Sequence, residues 1–427
     1  MKTKLFLASM LALTVQTQVA AQTDELGYKT VNLTMGPSYQ NQVFFNLANE
    51  NTKSQLANQW DIAFYRNSNM DMGIKVNDAK DIKVYQVSAT PSAYDAVDLS
   101  QKSTWGESLY NPDLTNRIQE GAFDKATLLP QGQFNFGWGS YDMVTHKITG
   151  KVTFVLEYGD GSYYKFFINE FYGGYTFKYA KWNGSSWEAT QTKTVANGSD
   201  DAFFNYFSFD SGEKVNNIEP AKNDWNFMLT RYYTFYNNIM MYRMSGIVQN
   251  PNIKVAKKQP ETQASSTYST PAQTDYSDII TSIGHSWKPT SGVHPDVVFY
   301  VKDASNYYRL YFTENGGATT GNVSFKYKNI TSELGVTDLG KKASFGVYPN
   351  PISNKRATIL FDVKENSNNN GTAEIFDLSG KKVFETKLSK QNGLQQQDVN
   401  LSSLNTGTYL LKITYAGISE TKKIIIK

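Results

Sequence analysis

Val152-Thr153-Phe154-Val155-Leu156-Glu157-Tyr158, then Gly159-Asp160-Gly161-Ser162, then Tyr163-Tyr164-Lys165-Phe166-Phe167-Ile168 is the stretch that decides the fold. Two runs rich in β-branched and aromatic residues flank a short Gly/Asp/Ser break, which predicts a β-hairpin. Val297 to Val301 and Tyr307 to Phe312 repeat the arrangement around Asp303-Ala304-Ser305-Asn306. Composition points the same way: 28 Tyr, 25 Phe and 7 Trp accompany only 19% charged residues, a balance that favours strands over helices. The expected fold class is all-β: two tandem antiparallel β-domains followed by a small β-sandwich.

The tandem expectation comes from strings that recur in the same order. Phe44-Phe45-Asn46 returns as Phe203-Phe204-Asn205, an offset of 159, and Trp60-Asp61-Ile62-Ala63-Phe64-Tyr65-Arg66 as Trp225-Asn226-Phe227-Met228-Leu229-Thr230-Arg231, an offset of 165. Tyr163-Tyr164-Lys165 matches Tyr307-Tyr308-Arg309 at 144, and Phe177-Lys178-Tyr179 matches Phe325-Lys326-Tyr327 at 148. The falling offset gives the first copy a longer middle section. The expected boundaries are 22–195 and 196–333, then a linker at 334–342 and a last domain at 343–427. Lys257 to Asp278, rich in Gln, Ser, Thr and Pro, is expected to be a long exposed loop.

Both ends carry addresses. Lys2, Lys4, the apolar Leu5–Leu13 run and Val19-Ala20-Ala21 read as a secretory signal over residues 1–21. That apolar run is far too short for a bilayer-spanning helix and no later segment is longer, so an integral membrane protein is not expected. The chain has no Cys, which removes disulfides, thiol catalysis and thiolate metal sites. A formal charge of +3 argues against nucleic acid as partner. At the other end, Tyr348-Pro349-Asn350-Pro351, Asp377-Leu378-Ser379-Gly380-Lys381, Gly407-Thr408-Tyr409 and the closing Lys423-Ile424-Ile425-Ile426-Lys427 follow in order. Together they resemble the type A sorting domain of type IX secretion substrates. That resemblance implies the type IX machinery as partner, passage across a Gram-negative outer membrane, and attachment to or release from the cell surface.

Trp60 to Arg66, Tyr206 to Val215 leading into Asp224-Trp225, and the hairpin from Asp296 to Phe312 are similar to HmuY-like proteins. That family is all-β and secreted or surface-exposed, and its founding activity is haem capture for iron acquisition. The resemblance implies axial donors, two His or two Met, on loops facing each other across the porphyrin. His285, in Ile283-Gly284-His285-Ser286-Trp287-Lys288, falls where one family ligand would lie, and Met143 or His146 takes the comparable place in the first copy. The second donor is missing from the preceding hairpin: Gln86–Phe136 and Lys254–Ile283 contain neither His nor Met. His294 could join His285 if the loop folded back. Met70, Met72, Met240, Met241 and Met244 are alternative sulfur donors, each with a plainer reading as core filler.

The Trp60/Arg66 and Trp225/Arg231 pairs read as a stacking platform or, the reading favoured here, as a core Trp with an Arg pairing at the strand end. Asp160 and Asp303 sit in turns, whose chemistry accounts for them without calcium. No zinc-protease, nucleophile-elbow, phosphate-loop or dinucleotide motif is present. The expected function is therefore non-enzymatic ligand capture, with haem as the possible cofactor. The alternative is an adhesin or glycan-binding surface protein whose exposed aromatics stack on sugars.

Overall fold

The computed structural model describes residues 23–66, 72–130, 132, 134–304, 306–331, 343–363, 371–388, 393–415 and 418–427. The expected signal segment, the 334–342 linker and Met70 lie outside the described residues. The chain separates into two compact units, one ending at Ile330 and the other beginning at Thr331. Both are antiparallel β-structures, as expected, and the only α-helix among the described residues is Gly317–Thr320.

The first unit opens with β1 (Lys29–Thr34), β2 (Asn41–Phe45) and β3 (Thr52–Leu56). A longer series follows: β4 (Ile62–Tyr65), β5 (Ile74–Val76), β6 (Lys83–Ser88), β7 (Gly139–Tyr141), β8 (Ile148–Gly150), β9 (Thr153–Glu157), β10 (Tyr163–Phe171) and β11 (Gly174–Lys181). Then β12 (Gln191–Ala196), β13 (Phe204–Ser208) and β14 (Glu213–Val215) answer the opening three. The unit closes with β15 (Phe227–Tyr236), β16 (Met240–Gln249), β17 (Lys254–Lys258), β18 (Val298–Lys302), β19 (Tyr307–Asn315) and β20 (Asn322–Asn329).

Pairing exchanges the short triplets between the two long series. One sheet runs β1-β20-β19-β18-β17, and its counterpart runs β12-β11-β10-β9-β6, with β8 and β7 added beside β10. A second pair of sheets reads β16-β15-β2-β3 and β14-β13-β4-β5. Strands from the expected 22–195 and 196–333 segments thus share three of these four sheets, and the boundary at 195/196 separates no packing unit. One lobe is the continuous stretch from β4 to β14; the other joins β1–β3 to β15–β20.

Register shows how closely the halves correspond. Ile168 faces Phe177 just before a bulge at Glu170, and the matched Phe312 faces Phe325 just before a bulge at Glu314. The turn ending at Glu50 (φ 62°) recurs at Gly212 (φ 67°). The Asn226 carboxamide oxygen accepts from the Leu47 amide, as the Asp61 carboxylate does from the Phe209 amide. These matches align Phe44-Phe45-Asn46 with Tyr206-Phe207-Ser208, three residues beyond the Phe203-Phe204-Asn205 expected from sequence. Two aromatic-rich strings adjoin there, and composition alone selects the wrong one.

The deciding hairpin forms as predicted, with Leu156 opposite Tyr164 and Phe154 opposite Phe166. Its apolar run is nearly unbroken because both sheet faces are covered. Phe154, Leu156, Phe166 and Ile168 enter one core, while Val155 and Tyr163 pack with Trp105 on the other side. The second lobe has its own core around Phe45, Trp287, Phe299 and Phe325. A third cluster joins the lobes: Phe44, Trp60, Phe204, Tyr206, Trp225, Tyr232, Val248 and Ile280.

The Lys257–Asp278 expectation needs amendment. Lys257 and Lys258 finish β17; the loop beyond them is largely exposed, as expected, but residues 261–263 also wrap the fully buried Arg309. Its guanidinium donates to the Glu261 carboxylate (2.8 Å) and to the carbonyls of Thr262 and Gln263.

The second unit carries β21 (Ala343–Tyr348), β22 (Arg356–Val363), β23 (Gly371–Phe376), β24 (Lys382–Leu388), β25 (Gly393–Asn400), β26 (Gly407–Tyr415) and β27 (Ile418–Ile426). They form sheets β21-β22-β25 and β24-β23-β26-β27, whose inward residues, among them Ile359, Phe361, Ile375, Leu411 and Ile424, make one core. The expected small sandwich is present.

Candidate functional site

The four residues expected as haem donors fall in two places. Met143 and His146 occupy the β7–β8 turn, which the Asp142 carboxylate organises by accepting from the Val144 and Thr145 amides. Both are exposed, Met143 at 68%, and His146 Nδ1 meets the Tyr141 hydroxyl at 2.8 Å. This turn belongs to the β7–β8 addition, which the other lobe lacks. It is not the counterpart of the His285 loop. Ile247 bridges to Gly284, immediately before His285, whereas the matched Ile74 lies against Gly121, immediately before Ala122.

His285 is half-buried, with Nδ1 2.8 Å from the Tyr232 hydroxyl. Burial, helped by Lys288, lowers its pKa below the ordinary imidazole value, which favours the neutral ring. When Nδ1–H donates to Tyr232, Nε2 keeps a lone pair for a ligand, the usual arrangement at a metal-ligating histidine. His294 is held by its backbone: its amide donates to Trp287 and its carbonyl accepts from Gln263. No recorded contact among the described residues brings a second His or any Met against His285. The two-donor set implied by resemblance is not assembled among the described residues.

Sequence reasoning passed over what surrounds His285. Trp60 and Asn77 are 17 residues apart, but the matched Trp225 and Asn250 are 25 apart. The additional residues lengthen the β15–β16 hairpin to ten residues per strand. Asn237 and Asn238, both at positive φ (51° and 57°), turn its tip, a conformation Asn tolerates better than most residues. Phe235, Tyr236, Ile239, Met240 and Tyr242 stand exposed on this extension. The Tyr236 ring lies 5.8 Å from that of Tyr242 and 6.2 Å from the His285 ring. The detectable signal was the Tyr/Met-rich insertion between Arg231 and Gly246.

The Trp/Arg strands lead to a different place. Trp60 and Trp225 are buried and line a cavity of about 80 Å³ between the lobes, together with Arg231, Lys75, Asp78 and Glu219. Burial pushes Asp78 and Glu219 up to about 7 and lowers Lys75. Asn111 donates to Asp78 (2.8 Å), the Phe204 amide to Glu219 (2.7 Å), and Lys75 to the Ile118 carbonyl (3.2 Å). Arg66 fits the structural expectation: it is 1% exposed and donates to Ala202, Asn205 and Asp200. Arg231 does not, for its Nε–H has no hydrogen-bond partner.

No group of three or more His, Asp or Glu positioned for a metal occurs among the described residues. The Asp160 carboxylate accepts from Ser162, and that of Asp303 from Asn306, as turn residues do. No helix among the described residues is long and apolar enough to cross a membrane. Residues 346–427 match the family model of the secretion system C-terminal sorting domain. No curated protein matches the chain. The sorting domain implies delivery by the type IX machinery across the outer membrane, to the cell surface or the extracellular space.

Proposed function

We propose that the protein is a non-enzymatic ligand-capture protein acting outside the cell, with the β15–β16 hairpin as its contact surface. The observation that carries this reading is the extension of that hairpin beyond its matched partner, which sets Tyr236, Met240 and Tyr242 in solvent beside His285. Aromatic side chains provide large, stiff contact area at low entropic cost, and a flat ligand suits them. Haem is the first such ligand: the resemblance to HmuY-like proteins points to it, and a neutral His285 with Nδ1 engaged by Tyr232 supplies one axial donor. Iron bound to such an imidazole would anchor the porphyrin, while the tyrosines would cover its face. Tyr236 and Tyr242 favour a second reading, stacking on sugar rings in an adhesin.

Haem titration of the purified chain, followed by visible absorption, tests the first reading. The expected result is a saturable shifted Soret band that His285→Ala abolishes and Tyr236→Ala weakens. A chain with intact β-structure and no shift overturns haem capture. Binding to immobilised glycans that survives His285→Ala but falls in Tyr236→Ala and Tyr242→Ala would establish the second.

A further inference from the structure

A cleft of about 460 Å³ lies in the β4–β14 lobe, where the end of β11, the start of β12 and the turn after β13 meet. Tyr164, Tyr179 and Phe209, all buried, form its floor, with the Phe209 ring stacked 5.0 Å from that of Tyr164. Lys181 and Lys193 stand in its wall with Glu188 and Asp210. The Asp210 carboxylate accepts from the Tyr164 hydroxyl at 2.9 Å and lies 3.6 Å from Lys181 and 3.9 Å from Lys80.

The matched half fills the same place with its own side chain. There the turn ends at Glu50, whose carboxylate accepts from the Tyr327 hydroxyl at 3.1 Å and pairs with Lys29, the residue opposite Tyr327. In the β4–β14 lobe Tyr179 matches Tyr327, and Gly212 holds the position of Glu50. A Cβ on Gly212 would come 3.3 Å from the Tyr179 hydroxyl and 3.5 Å from Lys193 Nζ, so the side chain that is missing is the one that would meet both donors. Their present partners are distant: Tyr179 reaches the Phe209 carbonyl at 3.5 Å and Lys193 the exposed Glu213 at 3.4 Å, both longer than a good hydrogen bond. Gln191 lies opposite Tyr179 and, two residues before Lys193, presents to the same side of β12.

We propose that this cleft binds a neutral sugar. One hydroxyl oxygen takes the place that the Glu50 carboxylate oxygen holds in the other half, accepting from Tyr179 and Lys193. Asp210 and Glu188 accept from neighbouring hydroxyls, and the Gln191 carboxamide both donates and accepts. The charges decide the class. Lys181 and Lys193 are balanced by Asp210 and Glu188, which penalises an ion of either sign. A hydroxyl brings one donor and two acceptor lone pairs, and so complements a wall offering both kinds. The volume falls within the range of roughly 300–1,000 Å³ usual for small-molecule sites. The site lies apart from the β15–β16 hairpin and does not depend on what that hairpin binds.

Calorimetric titration of the purified full chain provides the test. The probes are the methyl glycosides of glucose, galactose, mannose and N-acetylglucosamine, and glucuronate is the charged control. Saturable binding of a neutral glycoside, tighter than that of glucuronate, is expected. Gly212→Glu, which supplies the missing carboxylate, should abolish it; Glu50 at φ 62° shows that a glutamate fits this turn. Circular dichroism reports whether the variant remains folded. If it does not, Asp210→Asn, at an exposed position, is expected to weaken binding about tenfold, the effect of losing a hydrogen bond to a charged group. The proposal is overturned if no glycoside binds, if glucuronate binds as tightly as the best of them, or if folded Gly212→Glu or Asp210→Asn binds as the parent does. Binding lost in Tyr236→Ala and kept in Gly212→Glu would place the sugar on the hairpin and overturn the cleft as its site.

Discussion

The Trp60–Arg66 strand and the Trp225–Arg231 strand contain the same spacing and do different work. In the first, the Arg is sealed and every guanidinium nitrogen donates to the protein. In the second, the Arg is half-buried and Nε–H has no partner. The strand is the same; its neighbour differs, Asn205 in one half and Val43 in the other. The matched strands therefore carry the same residue pair in two different settings.

The largest effect that would break this contrast comes from the arginines. Arg66→Ala orphans the acceptors at Ala202, Asn205 and Asp200 and is expected to cost about 3 kcal/mol, against less than about 1 kcal/mol for Arg231→Ala. Urea denaturation of the two variants measures both, and equal losses would remove the distinction. A second probe is Glu219, in the wall of the cavity between the lobes. Its carboxyl is raised from 4.5 to about 7 by burial, so the folded chain binds more protons than the unfolded chain across that window. Its contribution is complete below about pH 4.5 and is lost as pH rises towards 7. Glu219→Gln should flatten this decline by on the order of 2 kcal/mol, read as the difference between variant and parent denaturation free energies across the window. His285, lowered by burial, slopes the opposite way but is common to both proteins and cancels. The smallest effects belong to the indoles. Trp60→Phe and Trp225→Phe each remove an N–H with no partner while keeping an aromatic ring, and thermal midpoints should correspond to changes within about 1 kcal/mol. A much larger loss in either would mean that its N–H is satisfied.

Hairpins were legible because their signal is local: β-rich runs around Gly159-Asp160-Gly161-Ser162 announce a turn whatever lies elsewhere in the chain. The sorting domain was legible through four ordered motifs. Partner choice between distant strands was not, since period-two alternation specifies a face and not a neighbour. Nothing in Val31 indicates that it lies opposite Phe325. For the same reason two copies were divided at 195/196 where the chain exchanges triplets. At the candidate site, His285 was singled out correctly as a loop residue, but its Tyr232 partner lies 53 positions away. Met143 and His146 were taken as its equivalents because each also precedes a β-hairpin. The Trp/Arg spacing was noticed and read as packing. That suffices for Arg66; Arg231 packs on Tyr39 with its Nε–H unpaired, because the residue that faces it, Val43, lies on a different strand.

The exchange of triplets also sets an order of assembly. The β4–β14 lobe is continuous, so it has all its strands once residue 215 has emerged from whatever makes or threads the chain. The opening strand has no such option: Lys29 lies opposite Tyr327, so β1 must wait for nearly the whole unit. During that interval the first segment to appear is the last to find its place. Contacts of such long sequence separation form slowly. A chain emerging N-terminus first would therefore carry a finished lobe beside an unpaired leading segment until β20 arrived to close the sheet.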